Sequence, residues 1–273
     1  GEKMKKIRIG TRGSALALAQ ARLAAAAFER AGFAAEIVPV RTRGDADVHA
    51  SLAELGRGAF TDVFSEMIGR GEIDVAVHSA KDLPAGEEKD GFFCLPRGNA
   101  RDVFVYLKNE EIRRVGTGSP RRAAAAKALC PQAQILHVRG NVDTRLKKLF
   151  AGEFDALVLA AAGLERLGLI DARGAFCDPR AGVRPFLPEE CVPAACQGII
   201  AVEGGAGALI DDRETSLAAR TERKLQRALG GDCSGGLGAY FDGRMLYAQK
   251  EGKICFLPYA GEESVAALAG KLS

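Results

Sequence analysis

Glu72-Ile73-Asp74-Val75-Ala76-Val77-His78-Ser79-Ala80-Lys81-Asp82-Leu83-Pro84 is the stretch from which the fold is read. Ile73, Val75 and Val77 alternate with Asp74, Ala76 and His78, the period-two pattern of a strand, and the pattern gives way to a polar turn. Pro84 disfavours helical angles at Leu83, so Lys81 and Asp82 are expected on a fixed turn just past the carboxyl end of a buried strand. Open α/β sheets take their ligands at that end. For an isolated Lys-Asp pair the competing reading is a surface ion pair of small worth, so the surroundings decide.

Upstream, Ile7 to Gly10 predicts a strand that ends in Thr11-Arg12-Gly13-Ser14. A helix follows to about Gly32, with Ser14 as N-cap and Gly32 as the residue past its end. Glu36 to Val40 predicts a second strand, turning at Arg41-Thr42-Arg43-Gly44-Asp45. Ala46 to Ala59 is a polar segment, either a lid or a surface loop, and Thr61 to Gly69 predicts a helix leading into the opening strand. Residues 115 to 161 echo this plan in the same order. Val115-Gly116-Thr117-Gly118-Ser119 echoes Ile9 to Ser14, Val138 to Asp143 echoes Val40 to Asp45, and Gly152 to Leu159 echoes Gly71 to His78. Two similar α/β domains with facing strand-end loops are expected, chance similarity being the alternative. Asp178 to Pro193 reads as a proline- and arginine-rich connection, and Ile199 to Val202 as a strand returning to the first domain. A basic helix over Thr215 to Leu229, a hairpin turn at Asp242-Gly243, a strand at Ile254 to Leu257 and a helix near Ser264 to Leu272 predict a small α+β third domain.

The chain has 273 residues, too many for one ordinary core. No run approaches a membrane span, and no secretory signal is recognisable, so a cytoplasmic protein is expected. The seven cysteines and three histidines lack ligand spacing, so neither a disulfide framework nor a metal site is expected. A net charge of +3 is too mild to imply nucleic acid. The placement of arginines says more. Ser119-Pro120-Arg121-Arg122 sets a capping hydroxyl, an N1 proline and two guanidinium groups at a helix start, where N–H groups and the dipole favour anions. Arg139, Arg145 and Arg166 fall at or beyond strand ends, and Arg12 lies in the weaker copy of the same turn. Forked donors of this kind grip carboxylates or phosphates. One carboxylate, Asp82, among these cations suits proton handling or stabilisation of positive charge on a polyanionic substrate.

These motifs resemble the porphobilinogen deaminase (hydroxymethylbilane synthase) family. The matching pieces are Gly10 to Ser14, Thr42 to Asp45, His78 to Pro84, Arg121-Arg122, Val138 to Val142, Thr144 to Leu146, Ala162 to Gly168 and Gln197-Gly198, in family order. The resemblance implies two periplasmic-binding-protein-like α/β domains with a central cleft, plus a small C-terminal α+β domain. Residues 4-95 and 194-210 would form the first, 96-193 the second and 211-273 the third. It implies a monomeric transferase of tetrapyrrole and heme biosynthesis, acting on porphobilinogen and binding neither membrane nor nucleic acid. Four porphobilinogens would be condensed head to tail, with loss of ammonia, on a dipyrromethane cofactor held by a thioether to Cys233, and the linear product then hydrolysed off.

By the same resemblance Asp82 is the catalytic residue, stabilising the cationic pyrrole left when ammonia departs. Lys81, Arg121, Arg122, Arg139, Ser79, Thr117 and Ser119 are expected to bind the cofactor, and Arg12, Ser14, Arg145 and Arg166 the substrate, through acetate and propionate groups. Gly118 and Pro120 stand where the family commonly has serine and leucine, and Gly231-Asp232-Cys233-Ser234-Gly235-Gly236 departs from the family's usual run. A non-catalytic anion-binding protein, and a nucleic-acid binder using the arginines, are the alternatives from other classes.

Overall fold

A computed structural model of the chain describes residues 5–40, 59–108, 110–231 and 236–272. Residues 41–58 and 232–235, with Cys233 and Asp232, lie outside the described residues. The chain divides into two units, residues 1–97 with 199–217, and residues 98–198 with 218–273.

In chain order the first unit begins with β1 (Lys6–Arg12), α1 (Ala15–Arg30), β2 (Ala34–Val40), α2 (Ala59–Gly69), β3 (Val75–Ser79) and β4 (Phe92–Cys94). The second supplies β5 (Asp102–Leu107), β6 (Arg114–Gly116), α3 (Pro120–Leu129), β7 (Gln134–Leu136), α4 (Val142–Phe150), β8 (Ala156–Ala160), α5 (Ala161–Arg166) and β9 (Ala181–Pro185). β10 (Ile200–Glu203) returns to the first unit, and α6 (Arg213–Ala228), β11 (Gly238–Phe241), β12 (Met245–Lys250), β13 (Lys253–Pro258) and α7 (Glu263–Gly270) complete the chain.

The first unit is a five-stranded sheet ordered β2-β1-β3-β10-β4, its first three strands parallel and β10 antiparallel to both neighbours. Ser14 caps α1 by accepting the Ala17 N–H, and Gly32, at φ +87°, turns the chain out of it. Ala21, Ala24 and Phe28 of that helix close over Ile7, Ile9, Val75 and Val77. Phe64, Ile73 and Ala76 pack on the opposite face. β3 is therefore buried on both sides. Removing a fully buried ring such as Phe28 or Phe64 costs about 3–5 kcal/mol.

The second unit repeats this plan. Its sheet is ordered β7-β6-β8-β5-β9, again three parallel strands followed by two antiparallel pairings. The repeat extends to side chains. Asp74 accepts the Arg8 backbone N–H at 2.8 Å and its Nη2 at 3.0 Å, and Asp155 does the same for Arg114 at 2.7 and 2.9 Å. Gly10 must lack a side chain because a Cβ would stand 2.4 Å from Ile73 Cδ1, and Gly116 because it would stand 2.9 Å from Phe154 Cδ1. Chance likeness of two segments does not supply a shared strand order with a shared ion-pair clip, so the echo in the sequence reflects a repeated architecture.

Within the second unit, α6, α7 and the antiparallel sheet β11-β12-β13 enclose a separate core around Leu225, Phe241, Leu246 and Leu268. The hairpin expected at Asp242-Gly243 joins β11 to β12. Asp242 accepts the Arg244 and Met245 N–H groups at 2.8 and 2.7 Å, and Gly243 takes φ +96°.

Two features differ from the sequence reading. The stretch read as a connection contains β9, an edge strand, where Pro185 is tolerated. β4 has three residues, and β5 carries the continuous apolar run Val103-Phe104-Val105, so neither shows alternation over a useful length.

Candidate active site

The chain leaves β3 through a single turn of 3-10 helix, Ala80–Asp82, whose last hydrogen bond runs from the Leu83 N–H to the Ala80 carbonyl. Leu83 then sits at φ −69°, ψ 144°, the extended geometry that Pro84 demands of its predecessor. The turn is pinned on several sides. The Ala80 N–H donates to the Ile199 carbonyl at 3.0 Å, and the buried Gln20 amide donates to Ser79 Oγ at 2.8 Å. His78 Nε2 lies 3.2 Å from Glu203 Oε2, its ring edge-on to Phe64, while Ser65 Oγ donates to the other oxygen of Glu203. Burial alone would raise the Glu203 pKa, but these two partners hold it below the usual carboxylate range. Asp82 is exposed at the tip of this braced turn, beside a half-buried Lys81. Ser79, expected to contact the cofactor, already has its hydroxyl on Gln20, a residue the sequence did not single out.

At the end of β1, Thr11 is buried and donates through Oγ1 to the Ala17 carbonyl at 3.2 Å. Arg12 is half-buried, and the exposed Ser14 uses its hydroxyl as the cap of α1.

The corresponding turn in the second unit behaves as expected up to the helix start. Thr117 Oγ1 accepts the Ser119 N–H at 3.2 Å, Ser119 Oγ accepts the Arg122 N–H at 3.4 Å, and Pro120 occupies N1. The two arginines then depart from the expectation of displayed cations. Arg121 is 4% exposed, and its Nη1 donates to Asp102 Oδ2 and to the Val192 carbonyl at 2.7 Å. Arg122 Nε donates to the other oxygen of Asp102 at 2.7 Å, and its Nη2 to Gln197 Oε1 at 3.2 Å. Gln197 Nε2 returns a bond to Asp102 at 3.1 Å and holds the Ala100 carbonyl at 2.7 Å. Asp102 is wholly buried. Burial would raise its pKa, yet two guanidinium charges with the Gln197 amide keep the carboxyl far below its ordinary range. Cys191, packed against the same groups, is pushed by burial up to about 12, so its thiol stays protonated and inert. Asp102 was missed because it heads a strand that the sequence did not announce. Among the described residues, Asp102 is the carboxylate that both guanidinium groups share.

Arg145 lies near Arg122. Its Nε donates to the Gly140 carbonyl at 2.8 Å, and burial, with the nearby Arg122 charge, lowers its pKa. Arg166 is fixed by a 2.6 Å bond from Nη2 to the Gly198 carbonyl, and burial lowers its pKa too. Both are charged groups held in surroundings that disfavour charge, and a bound anion would relieve that penalty. Arg139 is exposed, its Nε on His137 Nε2 at 3.3 Å. The structure thus gathers Thr117, Ser119, Arg121, Arg122, Arg145 and the new member Asp102 around the start of α3, with Arg166 anchored at Gly198. Asp82, Lys81, Ser79, Arg12 and Ser14 belong to the other unit.

The chain is similar to known proteins. Residues 7–210 match the family model described as porphobilinogen deaminase, dipyromethane cofactor binding domain. The porphobilinogen deaminase of Mycobacterium leprae (strain TN) is 41% identical over 249 residues, spanning 85% of this chain and 76% of that protein. That of Ruminiclostridium josui is 38% identical over 253 residues, spanning 87% and 82%. Solved structures that superpose include the periplasmic VFT2 domain of Bordetella pertussis BvgS (TM-score 0.40, 15% identity, 78% of this chain and 84% of that one). An ancestral cationic amino acid solute binding protein also superposes (TM-score 0.40, 14% identity, 75% and 85%). These superpositions are too loose to support any inference. The sequence matches are not, and they cover the braced Asp82 turn and the arginine cluster alike: the chain belongs to the porphobilinogen deaminase family.

Proposed function

We propose that this chain performs the family's reaction with Asp82 as its catalytic residue and Cys233 as the anchor of the dipyrromethane. The reaction is head-to-tail condensation of four porphobilinogen molecules with release of ammonia, followed by hydrolysis to linear hydroxymethylbilane. The observation that supports the residue assignment concerns Gly236. Gly236 packs so closely on the start of α3 that a Cβ there would stand 3.2 Å from Pro120 Cβ and 3.5 Å from the Arg121 nitrogen. Gly236 follows Cys233 by three positions in the sequence. We accordingly assign Thr117, Ser119, Arg122 and Arg145 as the residues that would hold a group attached to Cys233.

Those residues fit a group rich in carboxylates. Arg145 stands near Arg122 in surroundings that disfavour its charge, and each pyrrole brings an acetate and a propionate. When bound, the dipyrromethane supplies the pyrrole carbon on which the product grows. Arg122, Arg145 and Arg166 hold carboxylates, with Thr117 and Ser119 as hydroxyl donors and Arg139 and Lys81 as further cations. Arg12 and Ser14 are assigned to the incoming substrate. Arg121 contributes by fixing Asp102 and the helix start. Asp82 stabilises the positive charge that develops on the pyrrole as ammonia leaves and passes a proton to the departing amine. The bracing of its turn by Ile199, Gln20 and the His78–Glu203 pair lets that carboxylate act without reorganising.

No helix among the described residues is long and apolar enough to cross a membrane. We assign the protein to the cytoplasm as a monomer, with residues 211-273 as its third module, which the separate core around α6 and α7 supports. The test is porphobilinogen turnover with intact-mass measurement. The purified chain should exceed its sequence mass by two condensed pyrrole units, and Cys233→Ala should abolish the increment. A bare mass after incubation with porphobilinogen refutes the anchor.

A further inference from the structure

We propose that His137 is a carboxylate-binding residue of the arginine cluster, donating from Nδ1 to an acetate or propionate of the bound pyrroles. This rests on the function proposed above and extends its binding set. β6 and β7 run parallel with Gly116 opposite Leu136, and the Thr117 N–H bonds the Leu136 carbonyl at 3.0 Å. The two chains therefore leave the sheet side by side, and the segment from His137 lies against the anion-binding turn. Gly118 makes the contact possible. A Cβ there would stand 3.2 Å from His137 Cε1 and 3.2 Å from the Val138 carbonyl oxygen, so the imidazole occupies the space a side chain would claim.

The tautomer follows from the partner. A guanidinium only donates, so the 3.3 Å contact between Arg139 Nε and His137 Nε2 requires a lone pair on Nε2. The neutral ring then carries its proton on Nδ1, which lies 3.7 Å from the point where a Gly118 Cβ would stand. His137 is exposed, and so is Gly118. An N–H donor thus stands over the turn formed by Thr117 and Ser119, hydrogen-bonded to Arg139. Arg122 and Arg145 supply further positive charge in the same cluster. A donor set of this kind reads a carboxylate.

Two isosteric variants separate this role from simple support of Arg139. His137→Asn places an amide near the Nδ1 position, keeping a donor there and losing the Nε2 acceptor. His137→Gln places its amide near Nε2, keeping a partner for Arg139 and losing the Nδ1 donor. For porphobilinogen turnover, Gln and Ala at 137 should raise KM about tenfold with kcat nearly unchanged, while Asn stays within about twofold of the parent. Gly118→Ala, which displaces the ring, should behave like Gln. A second readout is the imidazole nitrogen NMR spectrum, in which porphobilinogen should shift the Nδ1 resonance of His137. A normal KM in His137→Gln with an impaired His137→Asn makes His137 a support for Arg139 and overturns the proposal, as does equal KM in all variants. If the parent protein fails to turn over porphobilinogen, the proposed function falls, and the NMR titration with porphobilinogen still decides the contact.

Discussion

Asp102→Asn is the perturbation on which the electrostatics of the second unit can be tested most sharply. The substitution keeps shape and removes one charge, leaving Arg121 and Arg122 without the carboxylate that both share. Asp102 is wholly buried and Arg121 nearly so. Breaking one side of a buried ion pair costs about 3–5 kcal/mol, because a charge is left without its partner in a poorly solvated place. With an m-value of about 3 kcal/mol/M in urea, the unfolding midpoint should fall by about 1–1.7 M. Circular dichroism is the probe, since the chain has no tryptophan. The pH dependence carries a second signature. The folded Asp102 carboxyl is held below its unfolded value of about 3.9. Its stabilisation is therefore fully present above about pH 4 and is lost as pH falls through the lower, folded value. The variant should show a flatter loss of stability below pH 4 than the parent. Adding Arg121→Met to Asp102→Asn should recover part of the loss, because it removes a buried charge that has lost the Asp102 carboxylate. A midpoint within about 0.3 M of the parent would show that the cluster is not held by Asp102 and refute the reasoning.

Asp82→Asn should fold normally and retain the Cys233-linked mass increment, yet turn over porphobilinogen about 10²-fold or more slowly; near-parental kcat contradicts the assignment. Gly116→Ala should destabilise by about 1–3 kcal/mol, read by thermal melting, because its Cβ would stand 2.7 Å from Leu157 Cδ2. Asp155→Ala should cost more than Asp74→Ala in urea unfolding, since the carboxylate of Asp155 is 12% exposed against 31% for Asp74; equal losses would mean that depth does not govern these twin clips.

The Asp82 turn was legible because a two-residue period, a polar break and a proline are local signals, and local sterics fix the outcome. So were both N-caps, Ser14 and Ser119, and the repeated plan of the two sheets. The buried cluster was not. Arg121 and Arg122 read as displayed cations because nothing near them in sequence is acidic, while their partner Asp102 lies at the head of a strand without alternation and Gln197 arrives from a distant segment.

The sequence by itself determined the repeated strand and helix elements around the two turns, where helices start, which residue types meet an anion and to which family the chain belongs, since all of these depend on neighbouring residues or on motifs in order. Only the tertiary structure decided how charge is distributed: that Asp102 restrains both arginines, that Gln20 holds Ser79, and that His137 rests on Gly118. Coulomb energy and desolvation depend on distances through space and on burial, and a chain read along its length specifies neither until distant segments have packed.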